Sequence, residues 1–362
     1  MLLTQQLANQ YYIYVDSNRP PEPWDIYNPR PQNRGFVAYF GRVLQAVEEN
    51  LGKQGLVFYV TLSDMQKLPS YGDNVVVLII GDEHYRLPRY IHQVGAVFKA
   101  YGTSQEMRWK ALAMKPSYRS FITLVQYFSN LSLRLPLLVN YEFQKLRAAV
   151  SKDVKIAPIY DIPGGYHNSE DLPIKPIDDR AYDVFFDGSV QNNIYSKWSI
   201  KNFLKTPKIV ARSLMLQQLD RFKQKYSEFH IQLAIRPAFG MVSEDDAGSY
   251  SKHLMNTKVC LVPRGTTLES FRICEALRYG CIVIVEELPD RDFYRNAPVI
   301  RIQDWSNLEP VLAQLLSDKE QMREVHKQTL EWWDTQLAEP VVGKQIAEEL
   351  NQLPHVRGES AL

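Results

Sequence analysis

Along the first half of the chain, short runs of β-branched and aromatic residues alternate with stretches whose apolar residues recur at helical spacing. Tyr11 to Val15, Leu56 to Thr61 and Val75 to Ile80 are nearly continuous apolar runs, the pattern of strands buried on both faces. Between the first two, Phe36 to Asn50 sets Val37, Phe40, Val43, Leu44 and Val47 on one helical face. The spacing also predicts helices over Arg86 to Tyr101 and Arg119 to Asn130. From Asp161 to Arg180 the composition turns to Pro, Gly and Asp with little periodicity, which reads as a linker. A second alternating series follows, with strands at Tyr182 to Phe186, Ile231 to Ile235, Val259 to Val262, Cys281 to Val285 and Val299 to Ile302. It also predicts a basic amphipathic helix over roughly Lys208 to Tyr226 and two or three helices between Asn307 and Leu350.

Strands that alternate with helices build parallel sheets, and 362 residues exceed one ordinary core. The expected fold is therefore α/β with two Rossmann-like domains. The expected division is residues 1–165 for an N-terminal domain, 166–180 for a linker and 181–338 for a C-terminal domain. Residues 339–362 form a final helix and tail that return to the N-terminal domain. No G-x-G-x-x-G or G-x-x-x-x-G-K-[ST] sequence occurs, which argues against a nicotinamide or flavin enzyme and against an ATPase.

Composition narrows the function classes. A formal net charge of +1 leaves no electrostatic footprint for nucleic acid. Aromatic residues make up 12% of the chain, 21 of them tyrosine. Most belong to packing, and a few are candidates to stack on a saccharide. The three cysteines, Cys260, Cys274 and Cys281, fit no zinc spacing and read as small apolar core residues. No run of about 18 apolar residues stands out as a bilayer span, and Met1 to Asp16 lacks the charged and apolar segments of a signal peptide. A cytoplasmic location, free or peripheral to a membrane, is the expectation.

The densest chemistry lies between Cys260 and Glu287. An apolar run breaks at Pro263-Arg264-Gly265, a helical segment opens near Ser270 and closes on Gly280, and a second apolar run follows. A turn of this kind suits a diphosphate, because backbone N–H groups and the helix dipole favour negative charge. Arg264 can bond two phosphate oxygens at once; alternatively it is a surface arginine paired with Glu269 or Asp290. Gly265 allows close backbone approach or positive φ, or is an ordinary turn glycine. Ser270 caps the helix or donates to a phosphate. Arg272 reaches the diphosphate or pairs with Glu275. Glu275, among apolar neighbours, needs a partner, either ribose hydroxyls or Arg272.

Cys260-Leu-Val-Pro-Arg-Gly265, Ser270-Phe-Arg272, Glu275-Ala-Leu277 and Gly280-Cys-Ile282 together resemble the signature of the exostosin family of glycosyltransferases. Tyr250-Ser-Lys-His-Leu254 resembles the helix before that signature, and Asp187-Gly-Ser189 the strand-end turn that opens the donor domain. In the N-terminal half the likeness is limited to Gly81-Asp-Glu83 and Pro-Gly-Gly-Tyr166. The resemblance implies a GT-B fold, with two Rossmann-like domains facing across a cleft. It further implies a nucleotide-sugar donor (most often a UDP-sugar), a glycan or glycoconjugate acceptor, inversion at the anomeric carbon, and no metal or other cofactor. Two departures stand out. Val283 replaces a common proline, and Glu269 adds a carboxylate beside the phosphate site.

Inverting transfer needs a base for the acceptor hydroxyl. Asp82, Glu83 and His84 follow the strongest predicted strand, where open sheets place ligands. Glu83 or Asp82 is the expected base ahead of His84, with Asp16 in reserve. Two competing functions remain: a non-catalytic glycosyltransferase-like subunit, and a fucosyltransferase using a guanine nucleotide.

Overall fold

The computed structural model describes residues 8–14, 19–28, 35–63, 65–104, 118–151, 155–168, 170–190, 206–236 and 244–354. The chain divides into two compact units. The first holds residues 1–105, 128–164 and 339–362, and the second holds 106–127 and 165–338. The segment 166–180, expected as a linker, groups with the second unit.

The first unit is a sheet of six strands: β1 (Gln10–Tyr14), β2 (Glu22–Pro23), β3 (Val57–Thr61), β4 (Gly72–Ile79), β5 (Val94–Lys99) and β6 (Ile159–Asp161), ordered β2-β1-β3-β4-β5-β6. All pairings are parallel except the short edge pair β1–β2. Helix α1 (Gly35–Asn50) buries Phe40, Val43, Leu44 and Val47 completely, the stripe that its spacing predicts. From β1 to β6 the parallel strands follow chain order without a reversal.

The helix predicted over Arg86 to Tyr101 does not form; turns occupy its first half and β5 its second. Val94-Gly-Ala-Val-Phe is a short apolar run, and such runs do not distinguish strand from helix by period. Gly95 allows the strand to lie close to β4. A Cβ there would stand 2.1 Å from the Asp73 carbonyl oxygen, beside a register shift between Gly72 and Val76.

Helix α2 (Tyr118–Val150) runs twenty residues beyond its predicted end, past Pro136. It also contains an 18-residue window long and apolar enough, by composition, to cross a membrane. Scattered Ser, Asn and Gln residues interrupt the apolar run, so no unbroken stretch of about 18 apolar residues marks it in the sequence.

The second unit is a wholly parallel sheet of β7 (Tyr182–Ser189), β8 (Ile231–Arg236), β9 (Thr257–Val262), β10 (Ile282–Val285) and β11 (Ile300–Arg301), ordered β11-β10-β9-β7-β8. Helix α3 (Pro207–Lys225) starts with Pro207 in its first turn, and Thr206 caps it by accepting from the Ile209 N–H. With α6 (Leu308–Ser317), α3 covers one sheet face, where Ala211, Met215, Leu219, Leu308 and Leu312 pack against Phe186, Leu261 and Ile284. Helices α4 (Glu244–Met255) and α5 (Phe271–Arg278) pack on β7, β9 and β10. Helix α7 (Lys319–Gln336) packs against α5.

The last helix, α8 (Glu339–Gln352), belongs to the first unit and packs on α1. Gly343 makes that approach possible, since a Cβ would lie 2.5 Å from both the Ala46 Cβ and the Val43 carbonyl oxygen. Each unit is thus an α/β layer with a parallel sheet.

Candidate functional site

In the second sheet the chain order reverses between β7 and β9. The first strand of the unit is central, the second lies to one side, and the third to fifth lie to the other. In open parallel sheets ligands bind beyond the carboxyl ends of the two strands at such a switch point. Here those ends deliver Asp187-Gly188-Ser189 from β7 and Pro263-Arg264-Gly265 from β9. The register Phe185↔Cys260 sets the two strands side by side.

Arg264 is 6% exposed, so it is no surface arginine. Its Nη2 donates to the Thr266 carbonyl at 3.4 Å, and Gln126 donates to the same oxygen at 2.8 Å, so two side chains shape the turn. Gly265 has no positive φ. A Cβ there would meet nothing nearer than 3.9 Å. The folded chain therefore does not itself require glycine at 265, since a Cβ there would make only ordinary van der Waals contact with the Thr267 and Glu269 carbonyl oxygens.

Ser270 is the N-cap of α5 and accepts from the Arg272 N–H at 3.4 Å. At the other end, Gly280 has a φ of +66°, the left-handed turn that ends helices. Arg272 lies in the first turn with one guanidinium nitrogen 3.8 Å from Asp187 Oδ1. Its Nε is buried without a hydrogen-bond partner. Asp187 itself holds Arg236, with contacts of 2.8, 3.0 and 2.6 Å.

Glu275 is buried, and its two oxygens are divided between elements. Oε1 accepts the His167 N–H at 3.1 Å and Oε2 accepts the Tyr250 hydroxyl at 2.8 Å. Burial pushes its carboxyl above the ordinary range, while Arg272, Tyr250 and the backbone donors pull it back. The His167 ring lies 3.7 Å from the Phe271 ring, between centroids. Burial, with Arg272 nearby, lowers His167 to about 4, so the imidazole is neutral at pH 7.

The extra carboxylate, Glu269, is buried and faces Arg291, with Nε 3.7 Å from Oε2. Its charge is met inside the protein. Val283 is a fully buried strand residue. The three cysteines are free and buried. Burial raises all three thiols, Cys274 to about 12.

Of the candidate bases, Asp82 is 3% exposed and forms an ion pair with Lys99 at 2.8 Å. Its oxygens also accept from the backbone N–H groups of His84 and Arg86. Burial would raise its pKa, but Lys99 and these donors outweigh it and hold the carboxyl below its usual range. This carboxylate pins the turn after β4. Glu83 and His84 are half-buried on the same turn, and Asp16 lies outside the described residues.

Several partners were not foreseen from sequence. Among them are Arg236, Tyr250 as the donor to Glu275, and His167. Arg180 is another. It is buried and donates to the carbonyls of Lys175, Thr257 and Tyr279, which ties the segment before β7 to β9 and to the end of α5. Asp290-Arg291-Asp292 has D-x-D spacing, and Asp292 is exposed and pairs with Arg295. Among the described residues, no group of three or more His, Cys, Asp or Glu side chains could hold a metal ion.

Residues 178–342 match a family model described as the RXYLT1 C-terminal domain. The match starts just before β7 and takes in Asp187, Arg236, Tyr250, Arg264, Ser270, Arg272 and Glu275, with Gln126 and His167 outside it. Comparison with curated proteins found no match. Among solved structures, sucrose-phosphate synthase from Thermosynechococcus elongatus aligns with TM-score 0.44 and 14% identity, covering 96% of this chain and 99% of that one. T4 phage BGT in complex with its UDP-glucose substrate aligns with TM-score 0.37 and 9% identity, covering 88% and 94%. The GtfA/B complex aligns with TM-score 0.39 and 11% identity over 78% of this chain, which spans 58% of that chain's length.

Proposed function

We propose that this protein is an inverting glycosyltransferase that moves a sugar from a nucleoside diphosphate donor, a UDP-sugar, to a hydroxyl of a glycan or other acceptor. One observation carries the reading. Arg264, Gly265 of the same turn and the capped helix of Ser270 and Arg272 converge at the switch point of a parallel sheet. The resemblance to exostosins falls on these same residues.

In this reading the acceptor oxygen forms a bond to the anomeric carbon while the bond from that carbon to the diphosphate breaks. The leaving electron pair ends on the diphosphate, whose charge Arg264, Arg272 and the α5 N-terminus stabilise. Glu275 is held by Tyr250 and by the backbone N–H groups of His167 and Asn168, which use three of its roughly four acceptor positions and leave one for a ribose hydroxyl. The acceptor proton passes to a base. Since Asp82 neutralises Lys99, Glu83 is the base we favour among the candidates.

A second reading, a glycosyltransferase-like subunit that binds without transfer, draws on that same ion pair, because it removes one of the two candidate carboxylates. A turnover assay separates the two. UDP-sugars are offered with a panel of hydroxyl acceptors, and released UDP is compared with glycosylated product. Equal amounts of both from the wild type, with neither from a folded Arg264→Ala variant, support transfer. UDP binding without product across the panel supports the binding subunit.

A further inference from the structure

Helix α2 turns an apolar side outward. Over residues 128–150, Phe128, Leu135, Val139, Phe143, Leu146 and Val150 are between 55% and 91% exposed. At the helical repeat they lie within a stripe about 80° wide. The buried residues of the same stretch, Asn130, Arg134, Leu137 and Gln144, are largely polar and lie on the opposite side. The usual polarity of a surface helix is thus reversed.

We propose that this stripe is the seam of a parallel, two-fold dimer of the chain. Val139, Phe143, Leu146 and Val150 follow the four-three-four spacing of d and a positions in a heptad repeat. Glu142 and Arg147 then fall at g and e, flanking the seam, and both are exposed. They stand five residues apart, the offset at which a g side chain of one helix meets the following e side chain of a parallel partner. Among the described residues, Glu142 pairs with the exposed Lys145 along its own helix. With Phe128 and Leu135, which fall at g in the same register, the six exposed side chains offer on the order of 600 Å² per copy, close to the ~800 Å² per partner of a standard interface.

A bilayer fits less well. A spanning helix is apolar all round, whereas α2 carries Asn130, Arg134 and Gln144 on its other side. A helix lying on lipid carries basic residues along its flanks, and here one flank carries Glu142.

The test is sedimentation equilibrium on the full chain, with vesicle flotation on phosphatidylserine liposomes in parallel. The wild type is expected to be a dimer. E142R and R147E each set like charges face to face and weaken association by about fivefold to tenfold, and E142R/R147E together restore it. F143E abolishes the dimer while leaving the far-UV circular dichroism and UDP binding unchanged. A wild type that remains monomeric, or a double swap that fails to restore association, overturns the proposal. So does a monomer that floats with the liposomes, which would make lipid the occupant.

Discussion

The hydroxyl of Tyr250 on α4 donates to Oε2 of Glu275 on α5 at 2.8 Å, and both groups are buried beside Arg272. The bond fixes a buried carboxylate at the switch point, in line with its use on a ligand. Tyr250→Phe keeps the ring and removes the donor, a loss of about 1.5–3 kcal/mol for a hydrogen bond to a charged group. We predict a several-fold weaker UDP affinity by titration calorimetry. Affinity equal to wild type would show that Glu275 serves the fold alone.

The pair Asp82–Lys99 is structural, and its removal should show in stability. Asp82→Ala leaves Lys99, which is fully buried, without its counter-charge, at a cost of about 3–5 kcal/mol in chemical denaturation. Because the folded carboxyl sits below its ordinary range, its contribution is present above the unfolded value near ~3.9 and is lost as pH falls through the folded value. The acid limb of the wild-type stability curve should therefore be flatter in the variant.

His167 makes the opposite edge of that pH range informative. With its folded value near 4 and an unfolded value of ~6.5, the unfolded chain takes up the proton first as pH falls. Its contribution is whole above pH ~6.5 and declines by about 2–3 kcal/mol towards pH ~4. His167→Phe should flatten the slope in that window, compared with wild type under identical buffers. An unchanged slope would mean that the ring is accessible to protons in the folded state.

The parallel strands other than β5 and β6, the turn at Arg264 and the capped α5 were legible in the sequence because each is set by neighbours close along the chain. Phe40 to Val47 declare a helix by period, and Pro263 to Gly265 declare a turn by residue type. What was not legible depends on distant partners. Arg236 meets Asp187, Arg180 meets the carbonyls of Thr257 and Tyr279, and the His167 N–H meets Glu275, each across tens of residues or more. No local pattern announces which buried polar group will find which partner. Asp82 shows the same limit. Its strand-end position suggested chemistry, and only the placement of Lys99 on β5, where a helix was expected, shows why a charge is buried there.

Gly343 tests the return of the last helix. Its missing Cβ leaves room for Ala46 and Val43, so Gly343→Val forces α8 away from α1. Overpacking of this kind costs about 1–3 kcal/mol, which should lower the melting temperature by several degrees. Equal melting of variant and wild type would show that α8 does not press on α1 in solution.

In the proposed function, the turn at Arg264 and the start of α5 hold a nucleoside diphosphate. The most direct measurement is a thermal-shift series with UDP, GDP, CMP and ADP on the wild type and on Arg264→Ala. At a hundredfold excess over its dissociation constant a bound nucleotide stabilises by about 2.7 kcal/mol. We predict a shift of several degrees with UDP, absent in Arg264→Ala although that variant melts cooperatively. No shift with any of the four nucleotides, or an equal shift in the variant, would contradict the account.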